Sequence, residues 1–320
     1  MLNKYVDLLK KGEIVAFPTE TVYGLGADAW NPSAVRKVFE KKGRPADNPL
    51  IVHVSSKKSV EEFASEISED ARKLMKHFWP GPLTLIFPKK AEVLDIITAG
   101  LDTVAVRWPM HPLSQELIAL AGPLVAPSAN SSGKPSPTKA EHVKKDFGDD
   151  FSVIEGGETN IGLESTVLDI SAEPYRIYRP GAVSAEEIEK VVGKTVEMAQ
   201  PSPNTAAKSP GTKYTHYSPD ARVQWLDKNT SLEKENMLYL LHGSKVEQEF
   251  LHSASGIRHP ENIIHYRQDY RKLAHELYDR FRQADHEGYA TITIEPFSKK
   301  IVENHPIIPA IINRISKAVD

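Results

Sequence analysis

One stretch, AQPSPNTAAKSPGTKYTHYSP, separates two regions of this chain whose hydrophobic patterns differ. The stretch has no hydrophobic period and is rich in proline, serine and threonine, which predicts a loop. Strand-like and helix-like segments follow one another at mixed spacing before it and alternate regularly after it. The chain has 320 residues, more than the usual size of one domain. We therefore predict two domains joined by this stretch.

The element pattern assigns a different α/β fold to each domain. Residues 1–197 combine short strands such as EIVAF, LIVHV and PLTLIF with interspersed helices, which predicts a sheet covered by helices. Residues 220–320 alternate the strands RVQWL, MLYLL, NIIHY and YATITIE with helical stretches, the clearest over 268–287. This βαβ pattern predicts a small Rossmann-like domain with a parallel sheet. Residues 198–219 are then the interdomain linker.

Capping signals mark several helix starts. Asn31 followed by Pro32 predicts the start of a helix that ends before Gly43. A serine or threonine followed three residues later by glutamate is the signature of a capping box. Three such pairs predict further helix starts: Ser59 with Glu62, Thr138 with Glu141, and Ser184 with Glu187.

Composition excludes several classes of protein. A net charge of −3 argues against a protein whose main role is to coat nucleic acid. The absence of cysteine excludes disulfides, thiolate catalysis and cysteine-bound zinc. No segment reaches the roughly 18 consecutive apolar residues of a membrane helix, and the first residues lack the apolar core of a signal peptide. We expect a cytoplasmic protein.

Polar loops of the first half carry the candidate binding residues. Arg44 lies between a glycine and a proline in KKGRPADNP, so its loop is stiff, and its planar guanidinium suits a phosphate or a carboxylate. In the strand TVAVRW, Val104 and Val106 take one face and Arg107 takes the other. Arg107 is therefore a buried ion-pair partner or a ligand for an anion, and the sequence leaves both open.

Motifs of other chemistries are absent. The chain has no P-loop, no G-x-S-x-G elbow and, among its 12 histidines, no H-E-x-x-H. Ser128 has no identifiable base that would activate it as a nucleophile. Lys42, Arg44, Arg107 and Arg179 together predict a site for a polyanion such as ATP, with positioned cations and no catalytic nucleophile.

Eight motifs in order resemble those of the threonylcarbamoyl-AMP synthase family: PTETVYGLG, KGRPADNPL, PGPLT, VAVRWP, PSANSSGKPSPT, STVLDI, RPGAV and SPGTKYTHYSP. The resemblance is to the two-domain form and implies a YrdC-like twisted mixed sheet with helices for the first domain. It also implies the reaction: L-threonine, bicarbonate and ATP give threonylcarbamoyl-AMP and pyrophosphate. The product serves threonylcarbamoyladenosine formation beside the anticodon of tRNA. Transfer-complex proteins and tRNA are expected downstream partners.

The resemblance also assigns residues. It implies a threonine pocket lined by Thr21, Tyr23, His53, Arg107, Ser128 and Ser165. It implies nucleotide contacts from Lys42, Arg44, Asn48, Thr103, Asn130, Ser136, Thr138 and Arg179. Lys42 and Arg44 would assist the phosphates, and it stays open whether Ser136 or Thr138 touches ATP. Mg²⁺ is expected to bind through ATP phosphates with few or no protein ligands. No catalytic side chain is implied, because alignment and charge stabilisation suffice.

The linker segment SPGTKYTHYSP has two interpretations. In the first interpretation, the segment is a lid that folds over the nucleotide, so that His216 and Tyr217 contact ATP and water is excluded. In the second, it is a tether whose tyrosines pack on the second domain.

Two other functions were compared with the synthase. An RNA-binding module would use a cluster of basic residues, namely Arg36, Lys37, Lys41, Lys42 and Arg44, and would bind tRNA in a salt-sensitive way. A carbamoyl-handling relative of the kind attached to hydrogenase maturation factors would carry acylphosphatase and zinc-finger segments. This cysteine-free chain has neither segment.

Overall fold

The structure is a computed structural model that describes residues 2–200, 217–227, 236–243 and 260–319. Its internal contacts divide the chain into two units. The first, the N-terminal unit, comprises Met1–Ser132 and Ser136–Tyr214; the second, the C-terminal unit, comprises Gly133–Pro135 and Thr215–Asp320. Most of the predicted linker lies outside the described residues, so the boundaries at 197 and 220 stay predictions.

The N-terminal unit is built on a nine-stranded mixed sheet with the strand order β1-β2-β6-β3-β5-β4-β7-β8-β9. The pairs β3–β5, β4–β7 and β8–β9 are parallel, and the other pairs are antiparallel. The strands are β1 Val15–Phe17, β2 Gly24–Asp28, β3 Ile51–His53, β4 Leu83–Pro88, β5 Thr103–Arg107, β6 Leu124–Val125, β7 Thr166–Asp169, β8 Tyr175–Arg179 and β9 Val196–Met198. This confirms the predicted mixed sheet.

Helices connect these strands. They are α1 Asn3–Lys10, α2 Pro32–Lys42, α3 Glu69–Phe78, α4 Asp95–Thr98, α5 Pro112–Ala121, α6 Ala140–Phe147 and α7 Ala185–Val192. Asn31 caps α2 by accepting from the N–H groups of Ser33 and Ala34, as predicted. The capping box of Ser184 and Glu187 at α7 is also confirmed.

Two predicted capping boxes are wrong. Ser59 lies inside a 3-10 helix, Lys58–Glu62, and its N–H donates to Ser56 Oγ, so the cap signal came from a serine three residues earlier. Thr138 lies before the start of α6, and its N–H donates to His142 Nδ1. In both places a neighbouring side chain takes the hydrogen bond that the box would have formed.

The two faces of the central strands carry different residues. Because side chains alternate along a strand, each face receives every second residue. One face packs into the large core of the unit through Val52, Leu85, Phe87, Val104, Val106 and Leu168. The other face has only a small apolar cluster, Ile51, Ile86, Ala105 and Val167. His53 and Arg107 share this second face, which we call the site face.

The described residues of the C-terminal unit form four parallel strands in the order β10-β13-β11-β12, which confirms the predicted parallel α/β fold. The strands are β10 Arg222–Trp225, β11 Met237–Leu241, β12 Ile263–His265 and β13 Thr291–Ile294. The helix predicted over 268–287 is α8 Tyr270–Glu287, and its buried stripe includes Leu273, Leu277 and Phe281. Two helices that were not predicted follow: α9 Lys299–Asn304 and α10 Ile308–Ala318.

Among the described residues, every helix is too short or too polar to cross a lipid bilayer.

Candidate active site

Strand register brings predicted threonine and nucleotide residues to one end of the site face. His53 pairs in register with Arg107 across the parallel β3–β5 pair. Arg179 pairs in register with Val167 across β7–β8, and β8 lies three strands beyond β5 in the sheet. His53, Arg107 and Arg179 are all buried, between 3% and 5% exposed. Each of these three predicted residues ends a strand at the same end of the sheet, and both arginines lie close enough to His53 to affect its charge.

Arg107 is anchored on three sides. Its Nη2 forms an ion pair with Glu20 Oε1 at 2.6 Å, its Nη1 donates to Thr21 Oγ1 at 2.9 Å, and its Nε donates to the Gly81 carbonyl at 3.2 Å. A guanidinium has five N–H donors. Two N–H groups of Arg107, one on each Nη atom, therefore find no acceptor among the described residues. Arg107 is a buried ion-pair partner and keeps donors for an anionic ligand, so the two interpretations left open by the sequence are compatible.

Glu20 was missed by sequence reasoning. It is 2% exposed, and its second carboxylate oxygen accepts from the Met110 N–H at 3.0 Å. A glutamate between two threonines gives no local signal of burial, and its partner Arg107 lies 87 residues away. The only usable signal was that a buried strand arginine needs a carboxylate.

His53 is held in its neutral form. Burial, with the nearby charges of Arg107 and Arg179, lowers the pKa of His53 to about 3. Its Nδ1 lies 3.2 Å from the Ile51 carbonyl, so Nδ1 carries the proton and Nε2 keeps a lone pair. At neutral pH His53 is thus a hydrogen-bond acceptor that adds no positive charge beside two arginines.

Ser165 and Arg179 form the second half of the site. Arg179 donates to Ser165 twice, from Nη2 to the hydroxyl and from Nε to the carbonyl, both at 3.1 Å. The Ser165 hydroxyl also lies 2.8 Å from Thr84 Oγ1. These bonds fix the hydroxyl and the guanidinium before any ligand binds. Thr84 had not been predicted.

Tyr23 and Ser128 border the site in different ways. The Tyr23 hydroxyl donates to the Gly157 carbonyl at 2.7 Å and accepts from the Gly156 N–H at 3.1 Å. Burial raises the pKa of Tyr23, which keeps this hydroxyl protonated. Ser128 is half-buried after β6 and pairs as an isolated bridge with Gly24. Tyr23 therefore ties a neighbouring loop in place, while Ser128 lies on the loop that follows β6.

Lys42 supports that loop. Its buried ammonium donates to the carbonyls of Ser128 and Asn130, both at 2.6 Å, and lies 3.4 Å from Asn130 Oδ1. Cations at a helix C-terminus usually interact with the helix's own carbonyls. Here the last residue of α2 instead holds loop carbonyls, and its contact with phosphate stays a prediction.

The side chain of Asn48 is buried without a hydrogen bond. The residue is 0% exposed, and neither its amide nitrogen nor its amide oxygen has a partner among the described residues. Arg44 lies over the same segment, with Nη2 donating to the Asn48 carbonyl at 3.1 Å and the Pro49 carbonyl at 3.0 Å. A buried amide without partners is costly, which is typical of a position where a ligand completes the bonds.

The other predicted nucleotide residues lie on the loop between β6 and α6 and at the start of β5. Ser136 Oγ donates to Glu164 Oε1 at 2.5 Å, and Thr138 Oγ1 lies 3.5 Å from His142 Nδ1. Both hydroxyls are fully buried, so burial does not decide which of them touches ATP. Asn130 is buried, and Thr103 is partly exposed at the first position of β5.

The linker residues divide into one that the structure describes and one that it does not. His216 lies outside the described residues. Tyr217 is 6% exposed, and its ring lies 5.3 Å from that of Tyr278 and 5.6 Å from the Arg314 guanidinium, all within the C-terminal unit. This position corresponds to the packing interpretation, and a nucleotide contact by Tyr217 stays a prediction.

The basic cluster of the RNA-binding alternative does not form one exposed patch. Lys37 pairs with Glu13 at 2.8 Å, and Lys41 lies 5.1 Å from the ring of Phe147. Lys42 is buried. Lys42 is therefore used inside the unit, whereas Arg36 and Lys41 are exposed.

Among the described residues no three histidine or acidic side chains are grouped so that they could hold a metal ion. The groups around the site face are cations, hydroxyls and amides, together with His53 and the Glu20 carboxylate that Arg107 pairs with. The cations, hydroxyls and amides suit phosphate oxygens, which are themselves ligands for Mg²⁺.

Comparison with known families gives two matches that together span nearly all of the chain. A family model described as telomere recombination matches residues 7–181. A second, described as threonylcarbamoyl-AMP synthase, C-terminal domain, matches residues 183–319.

Individual relatives agree with these matches. The threonylcarbamoyl-AMP synthase of Pyrococcus abyssi is 44% identical over 315 residues, covering 97% of this chain and 91% of the relative. The Bacillus subtilis enzyme of that name is 53% identical over 218 residues, which cover 67% of this chain and 63% of the relative. A crystal structure of a P. abyssi relative complexed with L-threonine superposes with a TM-score of 0.84 at 39% identity, covering 99% of this chain and 93% of that one.

Proposed function

The chain belongs to the threonylcarbamoyl-AMP synthase family, and we propose that it converts L-threonine, bicarbonate and ATP to threonylcarbamoyl-AMP and pyrophosphate. The observation that carries this proposal is a pair of buried arginines, Arg107 and Arg179, near a neutral His53 on one face of the sheet. Fixed cations beside a neutral acceptor suit a zwitterionic amino acid and a polyphosphate.

The reaction requires alignment and no protein nucleophile. The threonine ammonium first loses a proton to solvent, and bicarbonate takes up a proton and loses water to give CO2. The amine then adds to the carbon of CO2 and releases a second proton, and a carbamate forms. A carbamate oxygen then attacks the α-phosphorus of ATP, and the bond from that phosphorus to the bridging oxygen breaks as pyrophosphate leaves. Holding the reactants together and stabilising the developing charge accelerates both steps.

The threonine side of the site has complementary groups already in place. The two remaining N–H bonds of Arg107 suit the carboxylate of threonine. His53 Nε2 and Thr21 Oγ1 accept hydrogen bonds and suit the amino group and the hydroxyl. Since the pKa of His53 is about 3, this histidine orients the amine and does not store its proton.

The nucleotide side is supported by Asn48, Arg44 and Arg179. The Asn48 side chain gains hydrogen bonds from a ligand and breaks none with the described residues. Arg179 and Arg44 place positive charge near the phosphates. In this proposal His216 and Tyr217 contact ATP when the linker closes over it.

Mg²⁺ bound to the phosphates of ATP would neutralise part of their charge. Lys42 and Arg44 would lie near those phosphates, and the phosphate oxygens would supply the metal's ligands together with water. The product then serves threonylcarbamoyladenosine formation in tRNA, with transfer proteins and tRNA as the downstream partners.

Incubation of the purified protein with ATP, L-threonine and bicarbonate tests the proposal. We expect pyrophosphate release that depends on threonine and on bicarbonate, together with an adenylate of the mass of threonylcarbamoyl-AMP. Release that proceeds without threonine, or no release at all, would overturn the assignment.

A further inference from the structure

The segment between β1 and β2 carries two buried threonine hydroxyls that contact each other. Thr19 is 2% exposed, Thr21 is 0% exposed, and their hydroxyl oxygens lie 2.8 Å apart. Thr21 belongs to the proposed threonine pocket, whereas Thr19 does not. Both residues and their hydrogen-bond partners belong to the N-terminal unit. The direction of the hydrogen bond between the two hydroxyls decides what Thr21 offers to a ligand.

A carbonyl group fixes the proton of Thr19. Thr19 Oγ1 lies 2.7 Å from the Val22 carbonyl oxygen. A carbonyl oxygen only accepts hydrogen bonds, so the Thr19 hydroxyl is the donor in this contact. The N–H groups of Thr21 and Val22 point to the same hydroxyl oxygen, at 3.1 and 3.3 Å, and hold it in place. Because a hydroxyl group has a single proton, Thr19 has none left to donate to Thr21.

The direction set at Thr19 fixes the proton of Thr21 as well. In the 2.8 Å contact between the two hydroxyls, Thr21 must be the donor, since the proton of Thr19 is used. Arg107 Nη1 donates to Thr21 Oγ1 at 2.9 Å. A hydroxyl group has one proton and two acceptor positions. The proton of Thr21 and one of its acceptor positions are therefore occupied, and one acceptor position remains.

The two ends of this chain of hydrogen bonds cannot exchange roles. At one end is Arg107, whose guanidinium stays protonated in proteins and forms a buried ion pair with Glu20. At the other end is the Val22 carbonyl, which has no proton to give. The chain therefore runs in one direction, from Arg107 through Thr21 and Thr19 to that carbonyl. Thr21 presents a lone pair, and no proton, to whatever binds beside it.

We propose that Thr19 is a positioning residue that makes Thr21 an obligate hydrogen-bond acceptor and thereby selects the donor groups of threonine. The ammonium or the hydroxyl of threonine can donate to Thr21, whereas a carboxylate oxygen there would face a lone pair. The carboxylate is thus directed to the remaining N–H groups of Arg107. The proposal rests on the proposed function, since it takes L-threonine as the ligand, and it gives a residue outside the pocket control of the pocket's specificity.

Substitution of Thr19 tests this role. Thr19→Val keeps the shape of the side chain but removes the acceptor of the Thr21 proton. We expect the KM for threonine to rise about tenfold while kcat and the KM for ATP stay within about twofold. Thr19→Ser keeps the hydroxyl and should recover most of the loss. Thr98→Val is the matched control, because Thr98 is equally buried and its hydroxyl contacts Lys89 and Asp95, outside the pocket.

Two threonine analogues test the direction of the chain. The O-methyl ether of L-threonine lacks the hydroxyl donor, and β-hydroxybutyrate lacks the ammonium. Calorimetry gives the Kd of each analogue and of L-threonine for the wild-type protein and for Thr19→Val. In the variant the freed proton of Thr21 can serve an acceptor, so discrimination against one analogue should fall at least about fivefold. The analogue affected identifies the group of threonine that donates to Thr21.

These measurements separate the inference from the proposed function. A wild-type protein that binds threonine but releases no pyrophosphate in response defeats the proposed function, and one that binds no threonine defeats both. Unchanged discrimination against both analogues, or equal threonine affinity in folded Thr19→Val and Thr98→Val, overturns the role of Thr19. Should Thr19→Val not fold, Thr19→Cys replaces it. A thiol donates weakly, so a smaller change in the same direction is expected, and no change overturns the proposal.

Discussion

The proposed threonine side and the proposed nucleotide side of the site differ in how their polar groups are held within the protein. Arg107 has three acceptors, including the buried carboxylate of Glu20. Asn48 is also buried, and its side chain has no partner among the described residues. Arg107 is held by the protein before any ligand binds, so the protein's own folding maintains its geometry. The second region is completed by its ligand, so ATP binding should itself stabilise the fold.

The largest contrast is expected between Arg107 and Arg44. Arg107→Ala removes a carboxylate partner and leaves Glu20 buried without its charge pair, which costs about 3–5 kcal/mol of stability. The KM for threonine should rise by about a hundredfold, far more than that for ATP. Arg44→Ala should raise the KM for ATP instead. Steady-state kinetics measure the KM values of both variants, and calorimetry measures the stability of Arg107→Ala.

Arg176 provides the control for Arg107. It lies on β8, pairs with the exposed Glu197 and has 47% of its side chain exposed. Arg176→Ala should change neither KM. Equal effects of Arg107→Ala on both substrates, in protein that melts cooperatively, would mean that the two sides are not distinct.

A second contrast concerns pH. The pKa of His53 falls to about 3 in the folded protein, so between about pH 6.5 and pH 3 the unfolded chain binds a proton that the folded chain does not. The free energy of unfolding therefore decreases as the pH falls through this window. From pH 7.5 to 5.0 the loss from this group is about 2 kcal/mol.

Urea denaturation at the two pH values measures the decrease in the free energy of unfolding. His53→Gln cannot titrate at this position, so its decrease should be smaller by the contribution of His53. Identical pH dependence in the wild-type protein and the variant would show that His53 is charged or exposed in the folded state.

For Asn48 we expect a small effect on stability together with a large effect on ATP binding, unlike for Arg107. Asn48→Ala breaks no side-chain hydrogen bond in the free protein, so the free energy of unfolding should change by no more than about 1 kcal/mol. The KM for ATP should rise about tenfold, and ATP should stabilise the variant less than the wild-type protein in thermal melts. A variant that is strongly destabilised without ATP would show that the amide has a structural role.

The smallest effect is expected for the linker. His216→Ala combined with Tyr217→Ala should weaken ATP use a few-fold if the segment closes over the nucleotide, and ATP with threonine should protect residues 200–215 from protease. Because Tyr217 packs on Tyr278, the variant's melting temperature must be compared in parallel. Unchanged kinetics and unchanged proteolysis would identify the segment as a tether.

The face on which a strand arginine lies could be predicted from the sequence, but the carboxylate that pairs with it could not. Alternation in TVAVRW placed Arg107 on the face opposite Val104 and Val106, and the structure confirms it. Glu20 could not be found in this way, since the partner of a buried charge is set by tertiary packing and lies far along the chain. Asn48 was named by family resemblance, but its lack of partners is visible only in three dimensions.

Among the secondary-structure elements, β2 shows a similar limit. The segment from Gly24 to Asp28 has two glycines, which are typical of a turn, yet it is a strand. A Cβ at Gly26 would lie 2.8 Å from the ring of Phe17 on the adjacent strand, so the glycine is needed for close approach. Glycine's two uses, in turns and in tight packing, look the same in a single sequence.

The assignment of Gly133–Pro135 to the C-terminal unit means that no single cut in the chain separates the two units. A chimera joined inside 201–216 would exchange Asp220 but would keep the recipient's Lys134, with which Asp220 forms an ion pair. Such a chimera would pair Lys134 with a foreign position 220 unless residues 133–135 are exchanged as well. The same constraint applies to substitutions during evolution. Positions 134 and 220 should therefore covary among two-domain relatives, although 86 residues separate them.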